Sequence, residues 1–193
     1  MLFTHDTELA LASTADLVNT AADPDLLPDV GALAAFLDRW EWSGRRDNDD
    51  AEVAAVRDLR PRLRRLWVEA GDGGQVAGSA AHKDTVVQLV NDLLAEYDAR
   101  PYLVRHDGWD YHLHATSQDA PLVARMAVEA GMAMADMVRA DELSRLRICE
   151  MSDCDDVLVD LSRNRSKRYC GLGCTNRAAV HAYRARKSAP PSG

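Results

Sequence analysis

Cysteine is absent from the first 148 residues and from the last 19, so all four thiols of the chain fall between Cys149 and Cys174. Acidic residues are missing just as sharply from residue 161 onward, a stretch that holds eight Lys/Arg. No apolar run approaches the roughly 20 residues that a membrane-spanning helix needs. The opening MLFTHDTELALASTADLVNT has no basic region ahead of an apolar one, so it does not read as a secretory signal. The expected location is therefore cytoplasmic, where disulfides are rare and clustered cysteines more often hold metal. Enzyme signatures are missing too. There is no H-E-x-x-H, no nucleophile elbow and no dinucleotide fingerprint. The glycine-rich GDGGQVAGSA is not followed by Gly-Lys-Ser/Thr and follows no strand pattern, so it is a connector and not a phosphate loop. These absences point away from an enzyme.

What is present is strongly polarised. The formal net charge is −8, yet residues 1–160 carry 15 basic against 31 acidic residues and the remainder is purely basic. An acidic body joined to a basic end favours a polyanionic partner at that end. The alternative is that the basic end docks on its own acidic body.

Apolar spacing predicts a mostly helical α+β domain over residues 1–143. Helices are expected over Thr7–Thr20, Val30–Trp40, Ala51–Ala70 and Lys83–Tyr97, with Pro24 and Pro28 ending the first and Pro61 kinking or breaking the third. In YLVRHDGWDYHLHA, Asp107-Gly108 between two short branched and aromatic runs predicts one tight β-hairpin. A long helical segment follows over residues 119–147, with Met126, Met132, Met134 and Met137 expected in the core. A zinc module should occupy 144–187, and 188–193 reads as a disordered tail.

The cysteine spacing is C-x4-C, fifteen residues, then C-x3-C. Cys149, Cys154, Cys170 and Cys174 fit one structural Zn2+ site, because four thiolates close a tetrahedral shell and leave no place for substrate. Two disulfides, or four buried free thiols, are the competing readings. A turn, a short hairpin with DVLVDLS as a strand between the cysteine pairs, and a helix carrying the last ligands would form a treble-clef-like zinc finger with four cysteine ligands. Such a small module cannot bury enough apolar surface to fold without its metal.

Arg163, Asn164, Arg165, Lys167 and Arg168 lie between the cysteine pairs, and Asn176, Arg177, Arg184 and Arg186 lie on the final helix. Arginine forks with Ser and Asn donors suit a nucleic-acid backbone. Arg177, His181 and Arg184 form one helical stripe, while Val180 and Tyr183 are expected to pack on the zinc core. Asn176 and Arg177, beside the last ligand, serve either recognition or support of the metal site.

These residues carry a resemblance. The segment with Cys149, Cys154, Asp160, Ser162, Arg163, Asn164, Lys167, Arg168, Tyr169, Cys170, Cys174, Asn176, Arg177, Arg184 and Arg186 resembles the CGNR zinc finger of bacterial proteins. One position departs: Thr175 stands where that pattern has glycine, which removes no ligand but would forfeit any role that needs positive φ. The N-terminal LALASTADLVNT, with Leu17, Val18, Asn19 and Thr20, resembles the ABATE domain that precedes such fingers. The resemblance implies a transcription regulator that binds DNA through the finger.

Other readings remain open. An RNA-binding or ribosome-associated zinc protein would use the same arginines, although the basic segment offers only Tyr169 and Tyr183 for base stacking. A metal-dependent enzyme could use His112 and His114, with Asp110 on the same strand face and His106 across the hairpin. The N-terminal domain could instead sense a small-molecule effector, with Asn19 and Thr20 lining a pocket. Analogy with bacterial regulators suggests a homodimer.

Overall fold

The computed structural model describes residues 3–68, 79–105 and 110–188. The predicted Asp107-Gly108 turn, His106 and most of the glycine-rich connector lie outside them, as do residues 189–193 of the expected tail. Along the described chain run α1 (His5–Asn19), α2 (Val30–Arg39), α3 (Asp50–Arg64), α4 (Ala80–Glu96), β1 (Tyr102–Val104), β2 (His112–His114) and α5 (Leu122–Arg139). A 3-10 turn (Leu143–Arg145), β3 (Leu146–Ile148), β4 (Val157–Val159) and α6 (Leu172–Ser188) complete the order. The mostly helical body with one hairpin, followed by a second hairpin and a helix, is the predicted architecture.

Local chemistry sets most boundaries. Asp29, Asp49 and Ser79 cap α2, α3 and α4 by accepting from the backbone N–H three residues on, which removes one unpaired donor per helix. At α3 the cap is reciprocal, because Glu52 turns back to accept from the N–H groups of Asp47 and Asn48 at 3.1 and 3.0 Å. Pro61 does not break α3. The Arg57 carbonyl, which proline cannot reach, accepts instead from Arg60 Nε at 3.4 Å. The helix stops at Arg64, and a turn then brings Trp67 into the interior, where it is 1% exposed.

The long helical segment expected over 119–147 ends early. Asp141 takes a left-handed φ of 56°, and Glu142 N–H closes on Met137 O at 3.0 Å, a Schellman-type stop. Leu146 and Arg147, expected to continue the helix, are therefore free to open β3. Met126, Met134 and Met137 are buried as predicted, whereas Met132 is only half-buried.

Helix α5 is the central post, with α1, α3 and α4 packed around it. β1 and β2 pair antiparallel with Leu103 opposite Leu113 and Val104 opposite His112. β3 and β4 pair antiparallel with Ile148 opposite Val157. Leu146, Val157 and Val159 belong to the same continuous core as Leu11, Leu63 and Met134. A smaller cluster, Cys149, Met151, Leu158 and Cys174, lies on the other side of this second hairpin, with Tyr169 and Ala178 half-buried against it.

Candidate metal centre and its basic helix

The β3–β4 hairpin presents Cys149 and Cys154 from its turn, and the start of α6 supplies Cys174, with Cys170 two residues ahead of the helix. The four Sγ atoms all lie within 4.8 Å of one another. Cys154 and Cys170 are 3.8 Å apart and Cys170 and Cys174 are 3.5 Å apart. A tetrahedron with Zn–S bonds of about 2.3 Å has S···S edges of about 3.8 Å, so the donor set fits one zinc ion. All four cysteines are free thiols, not disulfides.

The electrostatics fit a cation as well. Burial pushes the Cys154 thiol up to about 12 and raises Cys170 too, with neighbouring thiols adding to both. Crowded thiols cannot all ionise alone, whereas a bound divalent ion deprotonates them outright. Cys174 differs: the Arg177 guanidinium beside it holds its thiol below the ordinary range. Arg177 Nη2 donates to Cys174 Sγ at 3.1 Å, and Nη1 donates to Asp153 Oδ2 at 2.6 Å. Arg177 thus ties the helix ligand to the turn that carries the first pair. That contact is the metal-site support weighed for it from the sequence. Asn176 is exposed.

Thr175 needs no left-handed backbone. It sits in the first turn of α6, and its N–H and Oγ1 both donate to Gly171 O, at 3.1 and 2.9 Å. The side chain that replaces the motif glycine therefore adds a hydrogen bond.

Between β4 and Cys170 the chain is organised by Asp160, which is fully buried. Its carboxylate accepts from Ser162 N, Ser162 Oγ and Lys167 N at 3.0, 2.5 and 3.0 Å. Burial alone would push this carboxyl up, but those donors, with Arg147 nearby, leave it below its usual value. Arg145, 5% exposed, donates to the carbonyls of Asp160 and Ser162 at 2.8 and 2.9 Å and to Glu142 at 2.8 Å. Arg163, Asn164, Arg165, Lys167 and Arg168 all project from the loop so formed and are exposed. Arg165 pairs with Glu142 at 2.8 Å and Arg168 with Glu150 at 2.5 Å.

Helix α6 leaves the molecule after its first turns. Cys174 is buried and Ala178 half-buried, but Val180 and Tyr183 are 46% and 60% exposed, contrary to the expected packing on the zinc core. The zinc cluster is too short to cover more than one turn, so later turns have nothing to pack against. Arg184 and Arg186 lie on this exposed part.

The finger is also fastened to the helical body. The Asn19 carboxamide at the end of α1 accepts from Val157 N and donates to Val157 O, both at 2.8 Å. Trp67 Nε1 donates to Leu158 O at 2.9 Å, and Arg64 Nη2 to Asp155 O at 2.8 Å. Asn19 and Thr20 do border a cavity of about 600 Å³ beside Cys170. Their polar atoms are already engaged, however, Thr20 Oγ1 with Leu17 O at 2.6 Å and with Arg60 at 3.1 Å.

His112 and His114 are half-buried, while Leu113, between them, and Tyr111 are 50% and 65% exposed. The histidine face turns inward and the apolar face outward, the reverse of a solvated polar strand face. Their Nε2 atoms lie 3.0 Å apart. Among the described residues, the cysteines are the group of three or more potential ligands that converges. No described helix is long and apolar enough to cross a membrane.

No curated protein matches the chain. The CGNR zinc finger model matches residues 145–187, and the ABATE model, described as "Putative stress-induced transcription regulator", matches residues 11–141. A helical body that fills most of the chain, closed by a four-thiolate finger on its own hairpin, is what those two matches describe in sequence terms: the chain belongs to the ABATE family and ends in a CGNR zinc finger.

Proposed function

We propose that this protein is a DNA-binding transcription regulator and not an enzyme, with α6 and the Asp160-organised loop as its DNA-contacting surface. The observation that carries the reading is α6 itself. It is anchored to the metal cluster by its first turn, projects beyond it, and bears Arg177, His181, Arg184, Arg186 and Lys187 with no acidic residue. A projecting basic helix of this length fits a major groove. The closed four-thiolate shell keeps the zinc structural: it crosslinks turn to helix and leaves no position for substrate.

Arg163, Asn164, Lys167, Asn176, Arg184 and Arg186, all exposed, are the proposed contacts. Arg168 joins them by exchanging its exposed ion pair with Glu150, worth about 0–1 kcal/mol, for phosphate, and Arg165 by leaving Glu142, which keeps its bond from Arg145. Arg177 stays on the metal site. The helical body holds this surface in place and serves as the effector-sensing part.

Fluorescence anisotropy with labelled duplex DNA and RNA across a salt series tests this. About five phosphate contacts give a log–log salt slope of about −4 to −5. The triple variant Arg163→Ala/Arg184→Ala/Arg186→Ala should flatten the slope by about two to three, roughly one per lost phosphate contact. Preference for RNA would favour the RNA-binding alternative, and equal binding by the variant would remove α6 and its loop as the interface.

A further inference from the structure

The inward-facing histidines form part of the wall of an open cavity of about 460 Å³, lined by α1, the segment after α2, β2 and α5. That volume is in the range of small-molecule sites. Two indoles, Trp40 and Trp42, form part of its wall, and both are half-buried against the core.

The charge on this wall is one-sided. Asp6, Glu41 and Glu129 line it, against the single cation Arg125. Arg125 is 3% exposed, and its guanidinium is committed to main chain: it donates to the carbonyls of Ser43, Arg45 and Ala120. Its fork is therefore not presented to an anion. Glu129, by contrast, has no hydrogen-bond donor among the described residues. Burial pushes its carboxyl up to about 7, opposed by Arg125 and helped by Asp6. A carboxylate that opens on a cavity without a donor is half of an ion pair.

The histidines do not supply the other half. His112 Nε2 and His114 Nε2 face each other at 3.0 Å, while their Nδ1 atoms meet Asp110 O at 2.9 Å and Gln118 Nε2 at 3.1 Å. All four ring nitrogens are thus engaged within the chain.

We infer that this cavity binds a small organic ammonium ion with an apolar or aromatic body, its charge on Glu129 and its body against Trp40 and Trp42. Indole faces and a carboxylate are the two groups that attract such a cation most strongly in a partly dry site. The inference rests on the proposed effector-sensing role of the helical body and gives that role a ligand class. It also supplies a route: Asp6, Leu9, Ala10 and Ser13 on the cavity and Asn19 on the finger all belong to α1.

Calorimetric titration of the zinc-loaded full chain with phenethylamine, phenethyl alcohol and 3-phenylpropionate tests the site. The amine should bind at least about tenfold more tightly than the alcohol, and the anion least well. Glu129→Gln should lower amine affinity by about tenfold and leave the alcohol unchanged; Asp6→Asn, on a different helix, should lower it less. Affinity should also fall as pH drops below about 7, since Glu129 then takes up a proton on a wall it shares with Asp6, Glu41, Arg125, His112 and His114. The glutamine variant should lose the Glu129 share of that dependence. Equal binding of amine and alcohol, or no saturable amine binding up to about 10 mM, would overturn the inference. Amine binding that leaves DNA anisotropy unchanged would uphold the site and remove the sensing role.

Discussion

Replacing Asn19 by alanine isolates the joint between body and finger. Val157 lies at the free edge of β4 and is 1% exposed. Its N–H and C=O would point at empty space but for the Asn19 carboxamide, which pairs with both at 2.8 Å as a neighbouring strand would. Alanine leaves one donor and one acceptor without partners, each costing about 1–3 kcal/mol when buried. Asn19 itself is only half-buried, so water recovers part of this, and a total of about 2–4 kcal/mol is expected. Asn19→Asp separates the two bonds. It still accepts from Val157 N–H but sets a carboxylate oxygen against Val157 O, so it should be no more stable than the alanine variant. Urea unfolding of the zinc-loaded protein, followed by far-UV circular dichroism and by tryptophan emission, measures both. Trp67 reports on the joint directly, through its bond to Leu158 O. An Asn19→Ala variant within about 0.5 kcal/mol of the parent would refute the idea that this clasp holds the finger.

Removal of zinc by a strong chelator should lower the melting temperature of the helical body as well as unfold the finger, because Leu146, Val157 and Val159 sit in the shared core; a body transition unmoved by chelation would contradict this. Thr175→Gly, which restores the motif residue, should destabilise the protein by about 1 kcal/mol through lost helix propensity and the lost bond to Gly171 O, with zinc stoichiometry unchanged by metal analysis. Arg60 donates to both oxygens of Asp25 at 2.9 and 2.6 Å and holds its carboxyl well below the usual range, against the effect of burial and with help from Leu27 N–H and Arg57. This acid is depressed in the folded state, so its contribution is complete above about pH 4 and is lost as pH falls further. Asp25→Asn should accordingly be less stable at about pH 7 and lose less on acidification below about pH 4, which denaturation midpoints at the two pH values would check.

Residues that act through short-range spacing were legible in the sequence. The C-x4-C and C-x3-C pairs identified the metal ligands, and the 3.6-residue rhythm of Val53, Val56, Leu59 and Leu63 marked α3 down to its buried face. Failures came where a distant partner decides. Nothing local announces that Asn19 will meet a strand 138 residues away, or that Trp67 will donate into the finger. Asp141 in a left-handed turn ended α5 within a stretch of continuous helical pattern, and so β3 was missed. Val180 and Tyr183 have the spacing of a buried stripe, but a small metal cluster offers no surface to bury it. A local signal did exist for the ion pairs: the acids Glu150 and Asp153 lie between the first two cysteines, opposite Arg168 and Arg177.

The shared core of Leu146, Val157 and Val159 has a consequence for inheritance. A module joined by a flexible linker can be moved by recombination from one protein to another and keep working. This finger is built into its neighbour, with one strand edge completed by a side chain from α1 and one face completed by the helices. A substitution in α1 must be matched by the finger, and a finger transplanted without α1 and α3 would expose an apolar strand face with an open edge, a template for aggregation. Finger and body are expected to have diversified together, as one unit of descent.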